Sequence, residues 1–140
     1  MKKKLNCILL IDDDTATNFI HKKIIEKSEI VNHIEVTLNG SEALDYLINK
    51  GNQINGDGLP LKPDLILLDI NMPVMDGWEF IRAYQNLNQS VKEGTVVVML
   101  TSSSNPDDRI RAGEIAEVYG FKNKLLTPNL FSEIMNECFK

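Results

Sequence analysis

The sequence predicts an α/β fold in which helices cover both faces of a doubly wound parallel sheet. Apolar runs alternate with helix-period patterns five times along the chain. The run Leu65–Leu68 is apolar throughout, as in strands buried on both faces, and it ends on Asp69. Because open α/β sheets place ligands at the carboxyl ends of their strands, Asp69 is a candidate metal ligand or nucleophile.

Composition indicates one globular domain over residues 1–140, with 43% hydrophobic and 25% charged residues. The net charge of −5 argues against a nucleic-acid or anionic membrane surface. No apolar stretch is long enough to cross a bilayer. Cys7 and Cys138 lack a C-x-x-C spacing, so we expect free thiols in a reducing, cytoplasmic setting.

The first half of the chain predicts strand, helix, strand and helix in turn. Leu5–Ile11 is an apolar strand, and His33–Leu38 alternates weakly as a second strand. Thr15–Ser28 and Ser41–Lys50 have helical periodicity. The apolar residues at helical spacing in the first helix are Phe19, Ile20, Ile24 and Ile25.

The middle of the chain predicts a loop, a buried strand and a helix. The segment 51–63 is rich in glycine and proline, and we expect a surface insertion, with a partner contact as the alternative. Asp64–Asp69 is the third strand, and Trp78–Leu87 is the third helix.

The last part predicts two further strand–helix pairs. Thr95–Thr101 is a fourth buried strand, and Asn105 can cap a helix that runs to about Tyr119. Phe121–Lys124 is a short fifth strand, and Thr127 precedes a proline that starts the last helix.

Polar residues gather at the ends of four predicted strands: Asp12, Asp13 and Asp14 after the first, Asp69 after the third, Thr101 and Ser102 after the fourth, and Lys124 after the fifth. In a doubly wound sheet these ends share one edge. Clustered carboxylates repel unless a cation neutralises them, and hard oxygen ligands without His or Cys favour Mg²⁺. A metal, a lysine and a hydroxyl around a carboxylate indicate a phosphoryl-transfer site that forms an acyl phosphate.

The chain resembles, over nearly its whole length, the receiver domain of bacterial two-component response regulators. The resemblance is carried by four motifs, Leu9–Asp14, Leu67–Gly77, Met99–Ser102 and Phe121–Lys124. It implies a flavodoxin-like sheet of five parallel strands in the order 2-1-3-4-5, with five helices.

The resemblance implies that Asp69 accepts a phosphoryl group from a sensor histidine kinase or a histidine phosphotransfer protein. Mg²⁺ would be bound directly by Asp13 and Asp69 together with the backbone carbonyl of Asn71. Asp12 would act mainly through water.

The resemblance also implies that Thr101 and Lys124 contact the phosphoryl group once it is present. Phe121 occupies the position of a switch aromatic that turns inward when Thr101 moves toward the phosphate. The side chains of Asn71 and Ser103 would flank the path of the hydrolytic water.

The residue after Lys124 departs from the family pattern. The family usually has a proline there, joined by a cis peptide bond, whereas this chain has Leu125. Because a cis bond before a residue other than proline is disfavoured, we expect a trans bond with an adjusted loop; a cis bond held by packing is the alternative.

The leading interpretation is a signalling switch and not a metabolic enzyme. The sequence stops directly after the last predicted helix, so we expect no attached output domain and a signal passed by contact with a downstream protein. The resemblance also allows a homodimer. His21, among lysines, is expected to face solvent or to lie at a boundary.

Two other interpretations remain open. Asp12–Thr15 superficially resembles the opening motif of haloacid-dehalogenase phosphohydrolases, which would make Asp12 the nucleophile, although Ala16 does not fit that motif. The chain is also short for a cap domain. The second alternative is a degenerate receiver that serves only as a binding module.

Overall fold

The computed structural model describes residues 4–51, 53–54, 56 and 58–139. These residues form one parallel sheet of five strands in the order β2-β1-β3-β4-β5. The strands are β1 Leu5–Ile11, β2 Val31–Thr37, β3 Leu65–Leu68, β4 Val96–Thr101 and β5 Val118–Asn123. The predicted fold class and strand order are therefore confirmed.

Six helices are present in the described ranges, one more than predicted. They are α1 Thr15–Ser28, α2 Gly40–Asn49, α3 Gly77–Gln85, α4 Gln89–Lys92, α5 Pro106–Gly113 and α6 Pro128–Cys138. The additional helix, α4, has four residues, which is too short to show a helical period in the sequence. The Lys62 ammonium donates hydrogen bonds to the carbonyls of Ser90 and Glu93, at the end of this helix.

The sheet separates two apolar cores, as a doubly wound fold requires. Leu9 and Ile11 of β1 belong to the core that contains Phe80 of α3. Ile8 of β1 belongs to the opposite core, which contains Phe131 of α6. β3 is buried at all four positions, as its apolar run predicts.

The buried face of α1 differs from the predicted apolar stripe. Phe19 and Ile20 are 63% and 43% exposed. Ile25 of the predicted stripe is buried, and the other buried side chains of α1 are those of Thr17, Asn18 and His21. The expectation that His21 faces solvent is wrong: the residue is 3% exposed, because its ring binds a backbone amide inside the fold.

The boundary between α5 and β5 also differs from the prediction. α5 ends at Gly113, not near Tyr119, and β5 already begins at Val118. Gly120 and Phe121 pair with β4, so hydrogen bonding to the sheet outweighs the helical pattern of this segment. Lys124 consequently follows β5 instead of ending it.

The described residues of the loop between α2 and β3 are held to the rest of the fold by several hydrogen bonds, among them the bond from Thr95 Oγ1 to the Pro63 carbonyl at 2.7 Å. The Tyr46 hydroxyl donates a 2.7 Å hydrogen bond to the carbonyl of Leu61, and Ile54 forms an isolated bridge to Pro60. Residues 52, 55 and 57 of the predicted loop lie outside the described residues. Cys7 and Cys138 are free thiols. Within the described part of the chain, no helix has the length and hydropathy of a transmembrane segment.

Candidate functional site

The carboxyl edge of the sheet brings the ends of β1 and β3 together. The Asp69 amide donates to the Ile11 carbonyl at 2.9 Å, and the Asp12 amide donates to the Thr37 carbonyl at 3.1 Å. Both aspartates are almost fully buried, at 4% exposure for Asp12 and 5% for Asp69. Sheet hydrogen bonds thus fix the backbone of both carboxylates.

Asp12, Asp13 and Asp69 form a cluster of carboxylates with one oxygen of each within 4.8 Å of the others. Asp13 is the exposed member, so solvent reaches the cluster from its side. Three hard oxygen donors, two of them buried, fit a hydrated Mg²⁺ ion. Asp14 is not part of this cluster, because it caps α1 by accepting from the amides of Ala16 and Thr17 at 3.0 and 3.3 Å.

The Lys124 side chain reaches the two buried carboxylates. Its Nζ lies 2.6 Å from Asp12 Oδ2 and 3.4 Å from Asp69 Oδ2. Burial disfavours the charge on Lys124, but hydrogen bonding and attraction from Asp12 and Asp69 outweigh burial and raise the pKa of the ammonium. The site therefore holds a fixed positive charge.

The surroundings of Asp69 disfavour the charged form of its carboxyl group. Burial raises the pKa of its carboxyl group, repulsion from Asp12 adds to the effect, and the Lys124 ammonium opposes both. A perturbed pKa in a charged cleft is a mark of functional sites. A further cation or a neutralising modification at this carboxylate would relieve the repulsion.

Thr101 ends β4 beside these groups and is fully buried. Its Oγ1 accepts a hydrogen bond from the Ser103 amide at 3.2 Å. Its carbonyl accepts from the Lys124 amide at 2.9 Å, which links the end of β4 to the start of the loop that carries the lysine. The Ser103 hydroxyl is bonded to Asp108 at 2.5 Å.

The loop after Asp69 folds back so that the backbone of Gly77 lies close to the backbone of Asp69 and Ile70. A Cβ built at Gly77 would lie 2.5 Å from the Asp69 carbonyl oxygen, and the Gly77 amide donates to the Ile70 carbonyl at 2.7 Å. Asp76 and Glu79 then form a capping box at the start of α3. Asn71 is exposed at the beginning of this loop.

Phe121 lies on β5 at the edge of the core, half-buried. The Arg109 guanidinium stands over its ring at 4.9 Å and donates to its carbonyl at 3.4 Å. The ring thus has an apolar neighbourhood on one side and a cation on the other.

The Lys124-Leu125 peptide bond is cis, so the expected trans bond is wrong. The residues on both sides are held in place. The Lys124 amide is bonded to Thr101, and Leu126 is 1% exposed with its amide bonded to His21 Nε2 at 3.2 Å. These contacts fix the path of the loop without a proline.

Two residues of the site region carry no obvious sequence signal. Asn18 donates to the Asp12 carbonyl at 2.7 Å, and His21 accepts from the Leu126 amide. Asn18 and His21 lie at helical spacing from the apolar Ile25, and this shared helix face is the sequence pattern that indicates their burial. Polar character alone predicts the opposite.

Comparison with known proteins identifies the class. The family model of the response regulator receiver domain matches residues 8–135, and the chain belongs to this family. Receiver domains are signalling switches that interact with histidine kinases and downstream targets and bind Mg²⁺ at an acidic pocket.

Individual relatives agree with this assignment. Response regulator Rcp1 of Synechocystis sp. is 33% identical over 108 residues, which cover 77% of this chain and 69% of that protein. A two-component response regulator from Cytophaga hutchinsonii has a solved structure with a TM-score of 0.83 and 31% identity, covering 97% of this chain and 98% of that chain. The chemotaxis protein CheY4 of Vibrio cholerae, at 22% identity and a TM-score of 0.75, shares the fold over 96% of this chain and 99% of that one. Some relatives are longer: the match covers 62% of the probable methanogenesis regulatory protein FilR2 of Methanothrix harundinacea.

Proposed function

We propose that Asp69 is the phosphoacceptor of this receiver and takes its phosphoryl group from a sensor histidine kinase or a histidine phosphotransfer protein. The observation that carries the proposal is the position of the Lys124 ammonium, 2.6 Å from Asp12 and 3.4 Å from Asp69. This cation is placed to attract phosphoryl oxygens toward the carboxylate.

The chain's own groups have separate parts in the reaction. A carboxylate oxygen of Asp69 attacks the phosphorus, and the phosphorus–nitrogen bond to the donor imidazole breaks. The imidazole nitrogen keeps the electron pair of that bond and is protonated by solvent. Lys124 shifts its interaction from the Asp69 carboxylate to the transferred phosphoryl oxygens, and the Thr101 hydroxyl donates to another of them.

Mg²⁺ fits the carboxylate cluster. Asp13 and Asp69 would hold the ion directly with the Asn71 backbone carbonyl, and Asp12 would contribute mainly through water. When bound, the ion offsets the charge of the carboxylates and of the phosphoryl oxygens. Asp13, the exposed member, leaves the solvent side of the cluster open to a hydrated ion.

The phosphoryl group would be sensed through Thr101 and Phe121. Thr101 would turn toward the phosphate from its present position, in which Oγ1 accepts a 3.2 Å hydrogen bond from the Ser103 amide. The half-buried ring of Phe121 then moves inward and leaves Arg109. The altered surface is read by a downstream protein or by a second copy of the chain.

Labelling with a small phosphodonor tests the phosphoacceptor. The protein is incubated with acetyl phosphate and MgCl₂, and the labelled residue is mapped by mass spectrometry. We expect a single label on Asp69, none in Asp69→Asn, and a normal label in the matched variant Asp14→Asn, in which the asparagine still caps α1. A label on Asp12 would indicate the phosphohydrolase alternative, and no label with MgCl₂ present would indicate a binding module.

Thermal unfolding tests the metal site separately. MgCl₂ should raise the melting temperature of the wild type because the ion binds only the folded state. Asp13→Asn should lose this increase and Asp14→Asn should keep it. An equal increase in both variants would exclude Asp13 as a ligand.

A further inference from the structure

Two polar residues on the inward face of α1 hold the backbone next to the charged groups of the site. Asn18 Nδ2 donates to the Asp12 carbonyl at 2.7 Å. His21 Nε2 accepts from the Leu126 amide at 3.2 Å, across 105 residues of sequence. Both side chains are buried, at 4% and 3% exposure. Helix α1 therefore contacts the backbone on both sides of the ion pair between Asp12 and Lys124.

The protonation state of His21 suits it to accept this hydrogen bond. Because Nε2 is the acceptor, the ring proton lies on Nδ1 and the imidazole is neutral. Burial lowers the pKa of His21; the Asp12 carboxylate opposes this effect, and the Lys124 ammonium offsets part of that opposition. The ring thus remains a neutral acceptor at neutral pH.

The loop that carries Lys124 is held at both ends. At its start, the Lys124 amide donates to the Thr101 carbonyl at 2.9 Å. At its end, Leu126 is 1% exposed and gives its amide proton to His21. The first contact belongs to the sheet, and the second adds a side-chain hydrogen bond to the apolar packing of Leu126.

We infer that His21 is a positioning residue for Lys124: by accepting the Leu126 amide it fixes the loop so that the ammonium lies between Asp12 and Asp69. The inference rests on the proposed phosphoacceptor function, in which that ammonium receives the phosphoryl oxygens. In this role His21 acts through the backbone amide of Leu126.

Three variants separate positioning from simple core packing. His21→Leu removes the acceptor, His21→Gln offers an amide oxygen in its place, and Ile25→Val trims a fully buried neighbour on the same face of α1. The maximal rate of Asp69 labelling is measured at saturating acetyl phosphate with MgCl₂. We expect His21→Leu to be slower by about ten- to a hundredfold, as for a misplaced catalytic group, while His21→Gln recovers most of the rate and Ile25→Val keeps it.

The result that overturns the inference is a wild-type rate in His21→Leu, or equal slowing in Ile25→Val at a similar loss of stability. Failure of the wild type to label Asp69 would instead overturn the proposed function, so the two failures are distinguishable. If His21→Leu does not fold, His21→Asn replaces it, because the shorter amide cannot reach Leu126. His21→Asn should be slow where His21→Gln is not, and equal rates in the two would overturn the inference.

Discussion

Replacing Gly77 by alanine should move Asp69, the proposed phosphoacceptor. The added Cβ would lie 2.5 Å from the Asp69 carbonyl oxygen and 2.8 Å from Ile70 Cα, whereas ordinary contacts begin at 3.4 Å. An ordinary contact therefore requires the Asp69 carbonyl and the backbone of residue 77 to separate by about 0.9 Å, the shortfall of 2.5 Å against 3.4 Å. Both crowded groups are backbone, so no flexible side chain can absorb the displacement.

The size of the effect follows from this geometry. Overpacking of this kind costs about 1–3 kcal/mol of folding free energy, which outweighs the gain of up to about 1 kcal/mol from removing a helical glycine. A displacement approaching 1 Å at a reacting group costs roughly a hundredfold in rate. We expect Gly77→Ala to lower both the free energy of unfolding and the rate of Asp69 labelling.

The assay combines urea unfolding, followed by circular dichroism, with acetyl phosphate labelling. Gly113→Ala is the matched control, because a Cβ at this last residue of α5 meets none of the described atoms within 4 Å. The control should be as stable as the wild type or slightly more stable, and it should label normally. A Gly77→Ala protein with wild-type stability and labelling would refute the argument from close approach.

Three further predictions concern charge and anchoring. Lys124→Met leaves two buried carboxylates without their cation and should cost about 3–5 kcal/mol in urea unfolding, partly restored by MgCl₂; unchanged stability would contradict the ion pairing. Asp69→Asn should raise the stability of the metal-free protein at neutral pH. Because the pKa of Asp69 is raised in the folded state, the wild type loses stability as the pH rises from the ordinary aspartate pKa through the folded-state pKa. The difference in unfolding free energy between Asp69→Asn and the wild type should therefore vanish at pH values below the ordinary aspartate pKa. A variant less stable than the wild type at neutral pH would disprove this prediction. Tyr46→Phe loses the hydrogen bond to Leu61 and should cost about 1 kcal/mol without slowing Asp69 labelling, and a slowed rate would show that the loop at 58–63 communicates with the site.

The convergence of Asp12, Asp69 and Lys124 could be predicted because it follows from chain topology. Parallel strands joined by helices all point their carboxyl ends to one edge of the sheet, so a polar residue after each buried run reaches the same place. The apolar run before Asp69 and the Asp12–Asp14 sequence therefore contained enough information to place the carboxylates. An aspartate at a strand end can also cap the next helix, as Asp14 does, so the position after a strand does not by itself distinguish a metal ligand from a helix cap.

The supports of the site could not be predicted because they are bonds to backbone groups. A sequence pattern separates apolar from polar side chains, and by that measure His21 among lysines belongs to the surface. Its hydrogen-bond partner is the backbone amide of Leu126. Because nearly every residue carries such an amide, no residue type in the sequence indicates this contact. The predicted bounds of α5 and β5 were wrong for the same reason, because hydrogen-bonded pairing with β4, and not local apolarity, decides where β5 begins. Local patterns thus locate the candidate reactive side chains of this receiver, whereas long-range hydrogen bonds to the main chain determine how firmly those side chains are held.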